Sequence, residues 1–265
     1  MTSSFANDRV RVETDGAIGW VTFNKPERHN ALSVDMWDAI PKAFDVLEEE
    51  ERIRVVVLKG AGERAFISGA DISQFEKERS SQASRSNYGR IAGEANRRLK
   101  MTNLPTVAMI RGYCLGGGLG VALNCDLRVA SADSTFAIPA ARLGVGYDHR
   151  GLRTLVDLVG PSFAKEIFFT ARHFNAQEAA TMGLVNRVLP VADLEAEVRE
   201  ICRRIAENAP LTIHSVKTIV DEIEKGVDFD RERCEEVVRA CFESEDYAEG
   251  RRAFMEKRPP IFRGH

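Results

Sequence analysis

The run from Leu104 to Gly151, LPTVAMIRGYCLGGGLGVALNCDLRVASADSTFAIPAARLGVGYDHRG, constrains this chain more than any other stretch. Val107 to Ile110 form an uninterrupted apolar segment of the kind that fills a buried strand. Arg111-Gly112 breaks it, and Gly116, Gly117 and Gly118 precede the proline-free apolar run Leu119 to Leu123. Strand, glycine turn and helix start thus follow one another. Glycine lets the backbone approach a ligand closely. The first N–H groups of a helix have no internal partner, and the aligned peptide dipoles favour negative charge there. Such a turn can hold an anion, or an oxygen that becomes anionic during a reaction. It is not a dinucleotide fingerprint, because Val121 stands where the third glycine would be, and it lacks the Gly-Lys-Ser/Thr ending of a phosphate loop. Taken alone, it is also compatible with an ordinary tight turn.

The 265 residues suffice for one large domain or a domain with a helical appendage. With 44% hydrophobic residues, 29% charged residues and a net charge of −3, nothing asks for nucleic acid or an anionic membrane. No apolar run approaches a membrane span, and the N-terminus lacks an apolar signal core. The five cysteines (Cys114, Cys125, Cys202, Cys234, Cys241) show no zinc-ligand spacing and read as buried free thiols of a reducing cytoplasm.

Upstream, Val10 and Val12 alternate with charged residues, Asp15-Gly16 makes a hairpin turn, and Ile18 to Phe23 return as a strand. After the polar loop Asn24 to Asn30, Ser33 can cap a helix with apolar positions Met36, Trp37, Ile40, Ala43, Phe44 and Leu47. Pro41 predicts a kink or break in it. Arg54 to Lys59 reads as a buried strand, and Ala65 to Ile72 as a second strand-to-glycine segment. Ser73 to Gly89 lacks an apolar period and predicts a loop or lid, with a helix from about Arg90 to Lys100. Helices are expected over Leu152 to Val159, Lys165 to Thr170 and Ala176 to Gly183, and a strand over Leu184 to Leu189. Farther on, Val198, Ile201, Cys202, Ile205 and Ala209, then Ile213, Val216, Val220 and Ile223, keep a helical period. A helix around Val237 to Phe242 precedes the basic, aromatic segment Arg251 to Pro260. Strands up to about Leu189 and helices afterwards predict an α/β core with a helical tail.

The segments NKPERHNAL, AFISGADI, GYCLGGGLGVALNCDLRVAS, TFAIPAARLGVG, ARHFNAQEAATMGLVNRVLP and AFMEKRPPIF occur in this order over nearly the whole chain. In these the sequence resembles the crotonase (enoyl-CoA hydratase/isomerase) superfamily. The resemblance implies an α/β fold, a crotonase-like spiral of strand-strand-helix repeats over residues 1–195 that binds acyl-CoA. It implies a C-terminal helical region, 196–265, for oligomerisation and for covering the CoA. It further implies a homo-oligomer, a trimer or dimer of trimers, with an acyl-CoA substrate and no cofactor or metal beyond the coenzyme A moiety. Members grip the thioester oxygen with two backbone N–H groups, which by motif are those of Ala70 and Gly117. Coenzyme A contacts would come from Arg28, His29 and Ala31, from Ala70 and Ile72, and from Phe254 and Lys257, the last two covering the nucleotide of a neighbouring subunit.

The chain departs from the hydratases of this family at both of their catalytic glutamates, where it carries Gly120 and Ala140. Neither residue can move a proton, and hydration demands paired acids around a water. The single-glutamate isomerases keep an acid near the second position, which is also lost. Instead, Tyr147-Asp148-His149-Arg150 stands at the acyl end of the pocket by alignment to the family. Asp148 falls at the position of an active-site aspartate in dienoyl-CoA isomerases and of the nucleophile in 4-chlorobenzoyl-CoA dehalogenase. The dehalogenase has tryptophan where Ala140 stands. LGVGYDHRGL, with Tyr147, is most similar to methylmalonyl-CoA decarboxylase, which has a histidine where Ala70 stands. Three functions follow as expectations. The favoured one is an enolate-stabilising, decarboxylase-like acyl-CoA enzyme using Tyr147 and Asp148. The others are a hydratase or isomerase with Asp148 as a displaced acid, and a non-catalytic acyl-CoA binding protein.

Overall fold

The computed structural model of the protein describes residues 1–71 and 82–265. The larger sheet has the order β1 (Thr2–Phe5), β2 (Val10–Asp15), β3 (Ile18–Phe23), β4 (Val55–Gly60), β6 (Thr106–Ile110), β8 (Leu127–Ser131), β11 (Arg187–Leu189). The smaller has the order β10 (Phe174–Asn175), β9 (Thr135–Ala137), β7 (Tyr113–Leu115), β5 (Ala65–Ile67). The large sheet is parallel from β3 to β11, and β5, β7 and β9 are parallel in the small one. Parallel neighbours need crossover connections. Here each turn of a spiral gives one strand to the large sheet, the next to the small sheet, then a helix. The three turns are β4–β5–α2 (Gln82–Lys100), β6–β7–α3 (Gly117–Leu123) and β8–β9–α4 (His149–Thr170). This is the spiral α/β architecture expected from the sequence.

Period-two alternation assigns the two faces of the large sheet. In β4, Val56 and Leu58 join the main core with Phe23, Phe44 and Phe66. Val55 and Val57 face the other way, with Trp20, Val107 and Val129, and are covered by Leu194, Val198 and Cys202 of a helix spanning Leu194–Glu207. The hairpin turn forms at Gly16, whose φ of 58° lies in the left-handed region that glycine, lacking a Cβ, adopts readily.

Four expectations change. The helix α1 (Val34–Glu48) runs through Pro41 without a break. Residues 82–89, expected as part of a loop, form the first turns of α2. The two helices expected between Leu152 and Thr170 are contiguous in α4, divided only where Gly160 (φ 75°, ψ 166°) leaves helical geometry before Pro161. Of the strand expected over Leu184 to Leu189, only Arg187–Leu189 pairs. The five cysteines are free thiols, four of them buried, and burial pushes the Cys125 thiol up to about 12. Among the described residues, no helix is long and apolar enough to cross a membrane.

The C-terminal helices are α5 (Ala176–Thr181), α6 (Leu194–Glu207), α7 (Pro210–Glu224), α8 (Arg231–Glu243) and α9 (Glu245–Glu256). The apolar positions of α7 do not face the core. Val216, Val220 and Ile223 are 56%, 50% and 62% exposed. The opposite side of this helix, with His214, Lys217, Thr218 and Asp221, lines a cavity open to solvent.

Candidate active site

Three neighbouring parallel strands of the small sheet end on one rim. After β5 the chain enters Ser68-Gly69-Ala70, after β7 Gly116-Gly117, and after β9 Ile138-Pro139-Ala140. All three exits line a cavity of about 1910 Å³, as do Trp37, Tyr88, Gly120, Tyr147 and Asp148. The C-terminal ends of parallel strands are where open α/β sheets place ligands.

Gly69 and Ala70 are set by the loop that precedes α1. Leu32 donates its N–H to the Gly69 carbonyl (2.8 Å) and accepts from the Asp71 N–H (2.9 Å), an isolated parallel bridge centred on Ala70. A bridge of this kind uses the groups flanking Ala70, so the N–H of Ala70 itself is turned the other way. Gly69 has a φ of 115°, which only glycine adopts readily. The loop is held internally by buried Asn30, whose side chain accepts from Lys25 N–H (2.9 Å) and donates to the carbonyls of Ala61 (3.0 Å) and Ala65 (2.8 Å). Lys25 Nζ pairs with Asp71 at 2.6 Å, both side chains nearly sealed from solvent.

Gly117 is the first residue of α3, so its N–H has no intrahelical acceptor. Gly116 anchors the turn by donating to Ala137 O (2.8 Å). Close approach demands glycine here. A Cβ on Gly118 would stand 2.3 Å from Ile67 O, and one on Gly117 would lie 4.0 Å from Ala70 N. Thus Ala70 and Gly117 line the same cavity, and the N–H of neither donates to any described residue. Idle backbone donors on a cavity wall can hold an oxygen that gains negative charge.

The side chains around that space carry little acid. Nothing lies within 4 Å of a Cβ built on Gly120, and Ala140 is buried on the rim. Tyr147 packs edge-on against Phe168, with ring centroids 4.9 Å apart. Asp148 accepts from Gly151 N–H (3.1 Å) and so caps the start of α4 while lining the cavity. Trp37 Nε1 donates to Tyr88 Oη (3.0 Å) on the cavity lining, a contact hidden in the sequence because the polar segment around Tyr88 predicts a loop.

The remaining predicted positions divide. Arg28, His29 and Ala31 lie in the loop bonded to this rim, with Ser68 N–H donating to His29 O (3.0 Å), and His29 tilts against Tyr113. They do not line the cavity. Phe254, 83% exposed, and Lys257 end α9 and are likewise outside the lining, so the structure does not bring them to Ala70. Ile72 lies outside the described residues.

The far part of the cavity is polar. It includes Lys217, whose Nζ contacts Asp126 (2.8 Å) and Leu104 O (3.0 Å). Burial, with Arg233 and Lys217 nearby, lowers the pKa of His214, and burial raises that of Asp221. The sequence signal for this face was present as His214, Lys217, Thr218 and Asp221 at spacings of three and four. It reads as a solvated face until the cavity is seen.

The chain matches the family described as Enoyl-CoA hydratase/isomerase over residues 13–265. It is 33% identical over 256 residues to a short-chain-enoyl-CoA hydratase of Clostridium acetobutylicum, covering 95% of this chain and 96% of that protein. It is 30% identical to a carnitinyl-CoA dehydratase of Salmonella arizonae, covering 98% and 100%. Among solved structures, an enoyl-CoA hydratase/carnithine racemase from Magnetospirillum magneticum superposes with a TM-score of 0.93 at 34% identity, covering 97% of this chain and 96% of that one. Fold, rim and these similarities together make the chain a member of the enoyl-CoA hydratase/isomerase family, the crotonase superfamily, and an enzyme acting on acyl-CoA.

Proposed function

We propose that the protein stabilises a thioester enolate with the N–H groups of Ala70 and Gly117, and that its reaction is decarboxylation of a malonyl-type acyl-CoA. The observation that carries this is a rim with two idle backbone donors and no carboxylate at Gly120 or Ala140. Carbon dioxide leaves when the bond between the α-carbon and its carboxylate breaks. The electron pair then delocalises onto the thioester oxygen, so no base has to remove a carbon-bound proton. Each donor would stabilise that oxygen by about 2.7–4 kcal/mol. Tyr147 would orient the departing carboxylate or return a proton to the α-carbon, with Asp148 beside it.

A second reading is favoured by the names of the relatives, which are a hydratase and a dehydratase. In it, Asp148 serves as a displaced acid for hydration or isomerisation. Turnover of malonyl-CoA, methylmalonyl-CoA and crotonyl-CoA separates the two. Release of carbon dioxide with negligible crotonyl-CoA hydration is expected. Hydration on the order of 10 per second would overturn the decarboxylase reading.

The exposed stripe Val216, Val220 and Ile223 supports assembly into a trimer or a dimer of trimers. Phe254 and Lys257 would then cover coenzyme A in a neighbouring subunit, with residues 196–265 as the assembling region. Arg28, His29, Ala31 and Ile72 complete the proposed coenzyme contacts. A stable monomer in sedimentation at micromolar concentration would count against the assembly. The free cysteines suit a reducing cytoplasm.

A further inference from the structure

The helix α7 is amphipathic in the inverted sense. Its apolar stripe faces outward, while His214, Lys217, Thr218 and Asp221, at i, i+3, i+4 and i+7, line the cavity that contains Ala70 and Gly117. An acyl pocket made only for hydrocarbon would have the opposite lining, because an apolar chain cannot satisfy buried polar groups.

The two ends of the cavity are linked through α3. From Gly117 to the C-cap Asn124 the helix advances about 10 Å. Gly120 and Asn124 are both on the lining, and the Asn124 side chain bonds to Gly120 O (2.8 Å) and to Asn96 (3.1 Å). Two residues on, Asp126 accepts from Lys217 Nζ (2.8 Å), one turn from Asp221 on α7. At about 1.2 Å per bond, an extended chain following α3 from the thioester end spans Gly117 to Asn124 in about eight bonds.

Most charges at this end are already satisfied. Lys217 holds Asp126, Lys100 holds Glu224 (2.8 Å), and Glu222 bonds Lys225 (2.6 Å). Asp221 is different. It makes no hydrogen bond or ion pair with any described residue, although it is half-buried and on the lining. Burial raises its carboxyl against the opposing charges of Lys100 and Lys217 nearby. Two turns earlier on the same face, His214 Nδ1 is buried without a partner.

We propose that this end of the cavity is a specificity site, in which Asp221, on the same helix face as His214, accepts a hydrogen bond from a hydroxyl or amine at the far end of the acyl chain. The proposal rests on the reading that the thioester lies at Ala70 and Gly117. The acyl group of the malonyl-type thioester then carries a donor-bearing terminus rather than a plain hydrocarbon end. Leaving such a carboxylate unpaired against a methyl end disfavours the plain chain, which is how polar sites reject analogues lacking a donor.

The test is calorimetric binding of octanoyl-CoA, 8-hydroxyoctanoyl-CoA and 8-aminooctanoyl-CoA to the full-length protein. The hydroxy thioester is expected to bind about tenfold or more tighter than octanoyl-CoA, the size of a hydrogen bond to a charged group. Asp221→Leu should remove or reverse that preference. Asp221→Asn, nearly isosteric, should keep the hydroxyl preference and weaken the amine relative to the hydroxyl. Equal binding of octanoyl-CoA and 8-hydroxyoctanoyl-CoA overturns the proposal while leaving the thioester site standing. So does a preference untouched by Asp221→Leu, or an amine-to-hydroxyl ratio unchanged by Asp221→Asn. Failure of all three thioesters to bind overturns the thioester site and this proposal together.

Discussion

Lys25 and Asp71 form a 2.6 Å ion pair whose side chains are 12% and 9% exposed, and it fastens the loop before α1 to the turn that carries Ala70. Removing Lys25 takes an opposite charge away from a carboxylate that is nearly sealed from water. Lys25→Ala is therefore expected to cost about 3–5 kcal/mol in urea unfolding. Turnover should fall more than binding, because the turn that aims the Ala70 N–H loosens. Stability within about 1 kcal/mol of the parent would show that the pair is not structural.

Gly118 and Gly120 are two residues apart on one helix and should respond oppositely to alanine. At Gly118 the new methyl would meet Ile67 O at 2.3 Å, whereas at Gly120 it would meet nothing within 4 Å. Gly118→Ala is expected to lose about 3 kcal/mol or more, since backbone must move. Gly120→Ala is expected to gain up to about 1 kcal/mol from helix propensity. Thermal melts of both variants check the pair of signs.

Restoring acids at Gly120 and Ala140 tests whether those positions control the chemistry. The double variant Gly120→Glu/Ala140→Glu is expected to raise crotonyl-CoA hydration about a hundredfold over the parent, the lower range for general acid–base catalysis. Gly120 has open space for the new side chain, and Ala140 is the tighter site. A stopped assay at fixed crotonyl-CoA, with no gain in a folded variant, would move the control elsewhere.

Asp148 has a structural duty as well as its place on the cavity wall, because it accepts from Gly151 N–H at the start of α4. Asparagine caps helices about as well as aspartate. Asp148→Asn should therefore melt like the parent and bind acyl-CoA normally, yet lose turnover on the identified substrate. Unchanged turnover would leave Asp148 a cap and make Tyr147 the leading proton carrier.

His214 sets a pH dependence of stability. Its folded pKa is lowered, first by burial and then by Arg233 and Lys217. The unfolded chain, with an imidazole pKa of about 6.5, thus binds protons that the folded one resists. This contribution is intact above about pH 6.5 and is lost as pH falls from there through the folded value. Urea midpoints measured from about pH 7.5 to 5 should fall toward acid, and His214→Gln should flatten the slope. Parallel curves would remove His214 as the cause.

Much of the frame was readable from residues because local signals agreed with the fold. Val107 to Ile110, the Gly16 hairpin and the Gly116–Gly118 turn all form where periodicity and glycine place them. Ala70 and Gly117, singled out by their motifs, line the same cavity. What failed to show was governed by the cavity. The first turns of α2 are polar, with Tyr88 reaching Trp37, so no apolar stripe marks them as a helix. In α7 the apolar period gave the helix but not its facing, since a moment has the same size whichever way it points. Pro41 stays inside α1, where buried Ile40, Ala43 and Phe44 hold the helix to the core despite the lost amide. Phe254 and Lys257 carry a motif but no contact with the cavity in a single chain.

The Leu32–Ala70 bridge has a consequence for how this chain can vary in length. Backbone N–H groups alternate in direction along an extended segment, so a shift of one residue between Leu32 and the Gly69 turn would point Ala70's amide at Leu32 and away from the cavity. The loop from Asn24 to Ala31 is partly exposed, which ordinarily permits insertions and deletions. Here an indel of a single residue would act as a frame error in the main chain, silencing a donor that no side-chain substitution can either remove or restore.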